Sequence, residues 1–363
     1  MKNILQTITL GGLALSSRIA MAPVTRSRAG EGGVPTALNA EYYLQRATAG
    51  LIISEATNVS PNSAAFELAP GIHNEAQLAG WKRVADAVHG RGGRIFMQLW
   101  HGGRVGSYAL LEGRQPLSPS GFNDDLGLLQ VYGALRNGQY TRLAASPSRA
   151  MSVAEIHEAA EEFGTGAANA LRAGLDGVEI HAANGYLPQQ FLSPHVNRRS
   201  DEFGGSVENR ARFLRLVVEA VLRAVPPERV GVRISPFALY NNALDEGAAE
   251  TYAYVLRMLD SYGIGYVHGA DTNAWGGNSD MAQLLPLIRS NYSGVVIANA
   301  GLSPEQAEQL VAFGRADMVA FGRQFIANPD LVARIARNGP YNEPDPFSFY
   351  GGGARGYTDY PAL

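Results

Sequence analysis

Short apolar runs recur along the chain, and eight of them read as strands: Arg18–Val24, Leu51–Thr57, Arg94–His101, Gly177–Ala182, Val230–Ser235, Gly265–Ala270, Gly294–Ala300 and Asp317–Gly322. Side chains alternate across a strand. Val178 and Ile180 therefore share one face, and Glu179 and His181 the other. Val232 and Ile234 oppose Arg233 and Ser235 in the same way. Between the runs lie helix signals. Ser152-Val-Ala-Glu155 and Ser303-Pro-Glu-Gln306 fit a capping box, with Pro304 at the first helical position. Asn328-Pro329 opens a helix in the same manner, and Phe213, Leu214, Val217, Val218 and Val221 give Val207–Val225 an amphipathic helical period.

Strands alternating with helices predict a parallel sheet, and eight such units predict a (β/α)8 TIM barrel of the α/β class. The rival, a doubly wound open sheet, would show an early G-x-G-x-x-G; here the first strand runs into Thr25-Arg26-Ser27. The long gap after the third strand, Gly102–Ala150, is rich in Gly, Ser, Asp and Asn and reads as a β-rich excursion over the barrel mouth. The tail beyond Asn338, rich in Pro, Gly and Tyr, reads as helix-poor. A length of 363 residues suits one barrel domain, 1–363.

Composition narrows the chemistry. Thirty Lys and Arg against 33 Asp and Glu give a net charge of −3, so no nucleic-acid or membrane patch is expected. There is no Cys, which excludes disulfides, thiolate metal sites, iron–sulfur clusters and a Cys nucleophile. No apolar run approaches the ~20 residues of a membrane span. Met1–Ser17 loosely mimics a signal peptide, but it has one basic residue and is interrupted by Gln6, Thr7 and Thr9. It reads as mature structure, and a cytoplasmic enzyme is the expectation.

In this fold the chemistry sits at the C-terminal strand ends. Polar residues gather there: Thr25, Glu55, Gln98, Trp100, His181, Arg233, His268, Asn299 and Arg323. Parity turns Arg233 and His181 inward, and a buried Arg needs an anionic or electron-rich partner. The last two strands end in Ala300-Gly301 and Gly322-Arg323, the usual phosphate position of such barrels; ordinary barrel-turn glycines would look the same. In His181-Ala-Ala-Asn184-Gly-Tyr186, two side chains can donate toward one oxygen and a phenol can give a proton, or the run is a capped loop with a surface Tyr. No His and carboxylate cluster has metal-ligand spacing. Phe66, Trp100 and Tyr350 could line a pocket, though scattered aromatics are more often core. Glu55 suggests no role.

Several runs together resemble the Old Yellow Enzyme family of FMN-containing NAD(P)H ene-reductases. They are Met21-Ala-Pro-Val-Thr-Arg26, Glu55-Ala-Thr57, Gln98-Leu-Trp-His101, Glu179-Ile-His-Ala-Ala-Asn-Gly-Tyr186, the stretch from Asn197 to Arg210, Ala320-Phe-Gly-Arg323 and Gly356-Tyr-Thr-Asp-Tyr-Pro361. The resemblance spans nearly the whole chain in the same order. It implies non-covalent FMN, with Pro23, Val24, Thr25, Ala56 and Gln98 along the ring and Arg233 at its N1–C2 edge. Asn299, Ala300, Gly301, Gly322 and Arg323 would hold the phosphate. His181 and Asn184 would bind the substrate oxygen, Tyr186 would be the proton donor, and Phe66, Trp100 and Tyr350 would shape the pocket. The chain has Thr25 where a related subclass has Cys, and Phe66 where relatives often have Tyr; Gly102–Ala150 departs from the family pattern.

The expected reaction is NAD(P)H-driven reduction of the activated C=C bond of an α,β-unsaturated carbonyl or nitro compound, with hydride from flavin N5 and a proton from Tyr186. The electrophilic alkene is a small-molecule partner, and the protein would act as a monomer or homodimer. Two alternatives remain. One is another phosphate-binding barrel, such as an aldolase or isomerase, whose Schiff-base version would want a strand-end Lys, which is missing. A flavin store would need no proton donor.

Overall fold

A computed structural model describes residues 2–135, 139–273 and 281–363. Eight parallel strands close into a barrel: β1 (Ile19–Met21), β2 (Leu51–Ile53), β3 (Ile95–Trp100), β4 (Gly177–Ala182), β5 (Val230–Ile234), β6 (Tyr266–Ala270), β7 (Val295–Asn299) and β8 (Met318–Phe321). Each pairs with the next, and β8 pairs back with β1. All eight expected strands are present. Helices α1 (Ala37–Gln45) and α2 (Glu75–His89) follow β1 and β2; α3 (Val153–Arg172) follows the excursion after β3. Then come α4 (Leu187–Leu192), α5 (Val207–Leu222), α6 (Ala248–Ser261), α7 (Met281–Arg289), α8 (Pro304–Ala312), α9 (Arg323–Ala327) and α10 (Leu331–Arg337).

The expected alternation sorts the strand residues. Met21, Ile52, Met97, Val178, Ile180, Val232, Val267, Val296 and Val319 join the apolar cluster that packs the helices onto the barrel. Inward parity gives a second cluster of Ala20, Leu51, Ile53, Phe96, Tyr266, Ile297 and Met318. Leu10 and Leu15, from the antiparallel hairpin Ile8–Leu10 and Leu13–Leu15, pack into it. Toward the C-terminal ends the inward residues become polar: Gln98, Glu179, His181, Arg233, His268 and Asn299.

Several boundaries differ for local reasons. β1 stops at Met21 because Pro23 has no N–H for the ladder, and the chain turns along the barrel mouth. β2 stops at Ile53, and Thr57–Asn58 forms a separate pairing with Leu99 and Trp100. The helix expected at Asn328-Pro329 begins at Leu331, because the Asn328 side chain instead bridges Gln324 O and the Asn342 N–H. Helix α5 ends at Leu222, three residues short of Val225. Both capping boxes form.

The segment 102–150 carries the antiparallel pair Val131–Ala134 with Tyr140–Leu143, and the parallel pair Leu117–Ser118 with Arg149–Ala150. A bridge from Phe66 to Tyr132 ties it to the mouth. Beyond Asn338 the tail holds one short 3-10 turn, Pro346–Ser348. No helix among the described residues is long and apolar enough to cross a membrane.

Candidate active site

A cavity of about 630 Å³ opens at the C-terminal ends of the strands. All eleven residues expected to hold a cofactor line it: Pro23, Val24, Thr25, Ala56, Gln98, Arg233, Asn299, Ala300, Gly301, Gly322 and Arg323. So do His181, Asn184, Tyr186, Phe66 and Tyr350. Trp100 does not reach the surface. It is fully buried, edge-on to Tyr186 at 5.1 Å between centroids and 6.0 Å from the Phe66 ring.

The floor is polar and ordered. Gln98 Nε2 donates to Glu179 Oε1 at 2.8 Å, and His268 Nδ1 lies 2.8 Å from Glu179 Oε2. Arg233 Nη2 donates to Asn299 Oδ1 at 2.8 Å, and Asn299 Nδ2 donates to Ala320 O at 2.9 Å. The expected partner for the inward Arg is thus partly supplied by Asn299, while its Nε is buried with no acceptor among the described residues. Burial alone would raise the Glu179 carboxyl, but His268, Arg233 and Gln98 together hold it below its ordinary range. Burial keeps His268 neutral, donating Nδ1–H to the carboxylate.

The loop after β4 is fixed from several sides. Asn184 has φ +58, a left-handed conformation that Asn tolerates better than most side chains. Its N–H donates to Ser235 Oγ at 2.8 Å, and its carbonyl accepts from Asn241 Nδ2 at 2.9 Å. Gly185 has φ +71, and a Cβ there would stand 2.7 Å from Tyr240 O and 2.6 Å from Asn241 Cβ. The Ala183 N–H points at His181 Nδ1, 3.4 Å away, so the ring proton sits on Nε2. Burial, then the charge of Arg233, holds the His181 pKa well below its ordinary value, so the ring is neutral. Burial raises the Tyr186 phenol, which stays protonated. His181 and Tyr186 meet edge to face at 5.0 Å. The wall therefore offers neutral donors converging on one space.

An aromatic stack continues the wall beyond Tyr186 through Trp100. Phe66 lies 5.1 Å from Tyr132 and 5.7 Å from Tyr350, and Tyr350 stacks on Tyr140 at 5.7 Å. The tail carrying Tyr350 is tied down by Arg26, which donates to Phe349 O and Gly356 O. Glu55, to which the sequence suggested no role, accepts the Arg26 N–H at 3.0 Å and so holds the turn after β1.

The residues fit an elongated anionic cofactor. Arg233 presents a cation at the floor. At the outer end Gly301 takes φ +66, which only glycine adopts freely, and the exposed Arg323 has no ion-pair or hydrogen-bond partner among the described residues. A Cβ on Gly322 would stand 3.3 Å from Val24 Cγ2. The described residues contain no cluster of three metal-ligating side chains. Sequence reasoning missed Tyr240, Asp271, Thr272 and Phe349 as lining residues, and the Glu179–His268 pair beneath them.

Residues 3–342 match the family described as NADH:flavin oxidoreductase / NADH oxidase. A probable flavin mononucleotide-dependent alkene reductase of Leishmania infantum is 39% identical over 99% of this chain and 97% of its own. A 12-oxophytodienoate reductase 1 of Oryza sativa is 39% identical over 98% and 91%. Morphinone reductase superposes with a TM-score of 0.95 at 42% identity, over all of this chain and 96% of that one, and one neighbour is its complex with tetrahydroNAD. An Old Yellow Enzyme homologue of Zymomonas mobilis gives a TM-score of 0.93 at 37% identity, over 99% and 100%. The chain belongs to the Old Yellow Enzyme family. It is an FMN-dependent, NAD(P)H-driven alkene reductase.

Proposed function

We propose that the substrates are alkenes conjugated to a carbonyl or nitro group, and that the wall of the cavity carries their polarisation and protonation. Pro23, Val24, Thr25, Ala56 and Gln98 would lie along the flavin ring, Arg233 at its electron-rich edge, and Asn299, Ala300, Gly301, Gly322 and Arg323 around its phosphate. FMN, when bound, would supply the hydride chemistry between NAD(P)H and the β-carbon of the alkene. His181 Nε2–H and the Asn184 amide would donate to the substrate oxygen. There negative charge builds up as the β-carbon is reduced, so fixed donors stabilise the transition state. Tyr186 O–H would then protonate the α-carbon, completing addition of one hydride and one proton across the double bond. Phe66 and Tyr350 would hold a flat substrate, and Trp100 would support Tyr186 from behind without reaching the substrate.

The observation that carries this reading is the convergence of a neutral His181 donor, Asn184 and a protonated Tyr186 on the cavity that Arg233 floors. The tail beyond residue 342 contributes Phe349 and Tyr350 to the same cavity, so we read 1–363 as one FMN-binding domain. We read the protein as a monomer or a homodimer. The test is anaerobic. NAD(P)H should bleach the purified yellow protein, 2-cyclohexenone should restore the colour, and cyclohexene should not. A bleached protein that no conjugated enone reoxidises would refute the proposal.

A further inference from the structure

Glu179 is a buried carboxylate at the centre of the barrel for which the reaction above has no use. It is wholly buried, as is His268. Both carboxylate oxygens are engaged, one by Gln98 Nε2 and one by His268 Nδ1, each at 2.8 Å. An ionised carboxylate only accepts hydrogen bonds. It therefore forces the Gln98 amide to turn its NH2 inward and leave Oε1 facing the cavity that Gln98 lines. Beside it Arg233 presents N–H donors, and Arg233 makes no ion pair within 4.0 Å of any described carboxylate. The floor thus shows an acceptor next to a cation, with a negative charge one layer below.

We propose that Glu179, braced by His268, is a positioning residue that sets the electrostatic polarity of the flavin site and keeps bound FMN a strong reductant. This rests on the reading that Arg233 and Gln98 face the flavin ring. The physical reason is charge. Reduced flavin carries more negative charge than oxidised flavin, and Arg233 alone would stabilise it. Too much stabilisation would leave the two electrons trapped. The Glu179 carboxylate opposes that field in a medium of low dielectric, where charges act at longer range than in water. It also denies the ring a second donor by fixing the Gln98 amide.

Glu179→Gln is isosteric and removes the charge. The new amide can meet the His268 donor with its oxygen and must then offer its own NH2 to Gln98, which flips and turns its NH2 to the cavity. Both changes favour reduced FMN. Reduced FMN should be retained about tenfold more tightly relative to oxidised FMN, a rise of about 30 mV for a two-electron couple, read by anaerobic redox titration against a reference dye. His268→Leu removes one of the two donors on the carboxylate and favours its neutral form, so it should shift the ratio in the same direction. His268→Asn, which keeps a donor near the Nδ1 position, should return it to within about twofold. A purely structural role would lower the melting temperature without moving the potential. An unchanged potential in folded, flavin-bound Glu179→Gln overturns the inference. If that variant does not fold, equal potentials for the two His268 variants overturn it. Failure of the wild-type protein to take up FMN would instead refute the site reading beneath it.

Discussion

Trp100 stands edge-on to Tyr186, with ring centroids 5.1 Å apart and planes at 83°. The contact makes the indole a buttress for the proposed proton donor. Trp100→Phe should shorten that support and let the phenol drift. Enone-dependent reoxidation should slow by about ten- to hundredfold, the scale of an ångström-sized misplacement, while FMN content stays unchanged. Stopped-flow reoxidation and flavin stoichiometry check both. An unchanged reoxidation rate would mean that Tyr186 is held by its own loop.

Much of this arrangement is readable from the sequence because a parallel barrel sorts its strand residues by parity. Val178, Ile180 and Val232 could be assigned to the helix side, and His181 and Arg233 to the interior, from alternation alone. Strand ends were less legible. Trp100 has the right parity, but only the tertiary structure shows Phe66 and Tyr186 between it and the cavity. Glu179 shares the parity of His181 and was readable as inward. Its partner His268 lies two strands away, and no local period reports that register. Tyr132 and Tyr240 escaped because the segments carrying them, the excursion and the turn after β5, have no hydrophobic period. The Asn328 cap failed for a related reason: its side chain is claimed by Asn342, fourteen residues on.

The proposed site puts Arg323 and Gly301 around the flavin phosphate. Arg323→Ala should weaken FMN retention by about tenfold, or ~1.5 kcal/mol, the lower end for a hydrogen bond to a charged group because the site is exposed. Dialysis against apoprotein, followed by flavin fluorescence, measures this. Retention equal to wild type would place the phosphate elsewhere.

Nicotinamide carries a carboxamide oxygen that can use the same His181 and Asn184 donors as an enone. The two ligands should therefore bind in turn, with parallel initial-rate lines. His181→Ala should weaken both by about tenfold, as for a lost hydrogen bond of ~1.5 kcal/mol. Intersecting lines would show that nicotinamide has its own site.

The buried histidines predict an acid-side loss of stability. Burial lowers His101 to about 4 and holds His181 well below its ordinary value. The unfolded chain takes up these protons below about pH 6.5, whereas the folded chain does not. Unfolding free energy should therefore fall as pH drops below that point, by up to about 1.4 kcal/mol per pH unit for each such histidine. His101 Nδ1 accepts the Gly103 N–H at 3.0 Å, a contact that His101→Asn can keep. That variant should show a shallower slope between pH 6.5 and 4 in urea titrations. An unchanged slope would mean that His101 titrates normally.

The central claim is that Tyr186 gives the proton that completes alkene reduction. The direct measurement is anaerobic stopped-flow of Tyr186→Phe, following the two halves of the cycle separately. Flavin reduction by NAD(P)H should stay within about twofold of wild type, and reoxidation by 2-cyclohexenone should slow by about 10²–10⁴, the usual contribution of a positioned acid. Equal slowing of both halves, or an unaffected enone step, would contradict the assignment.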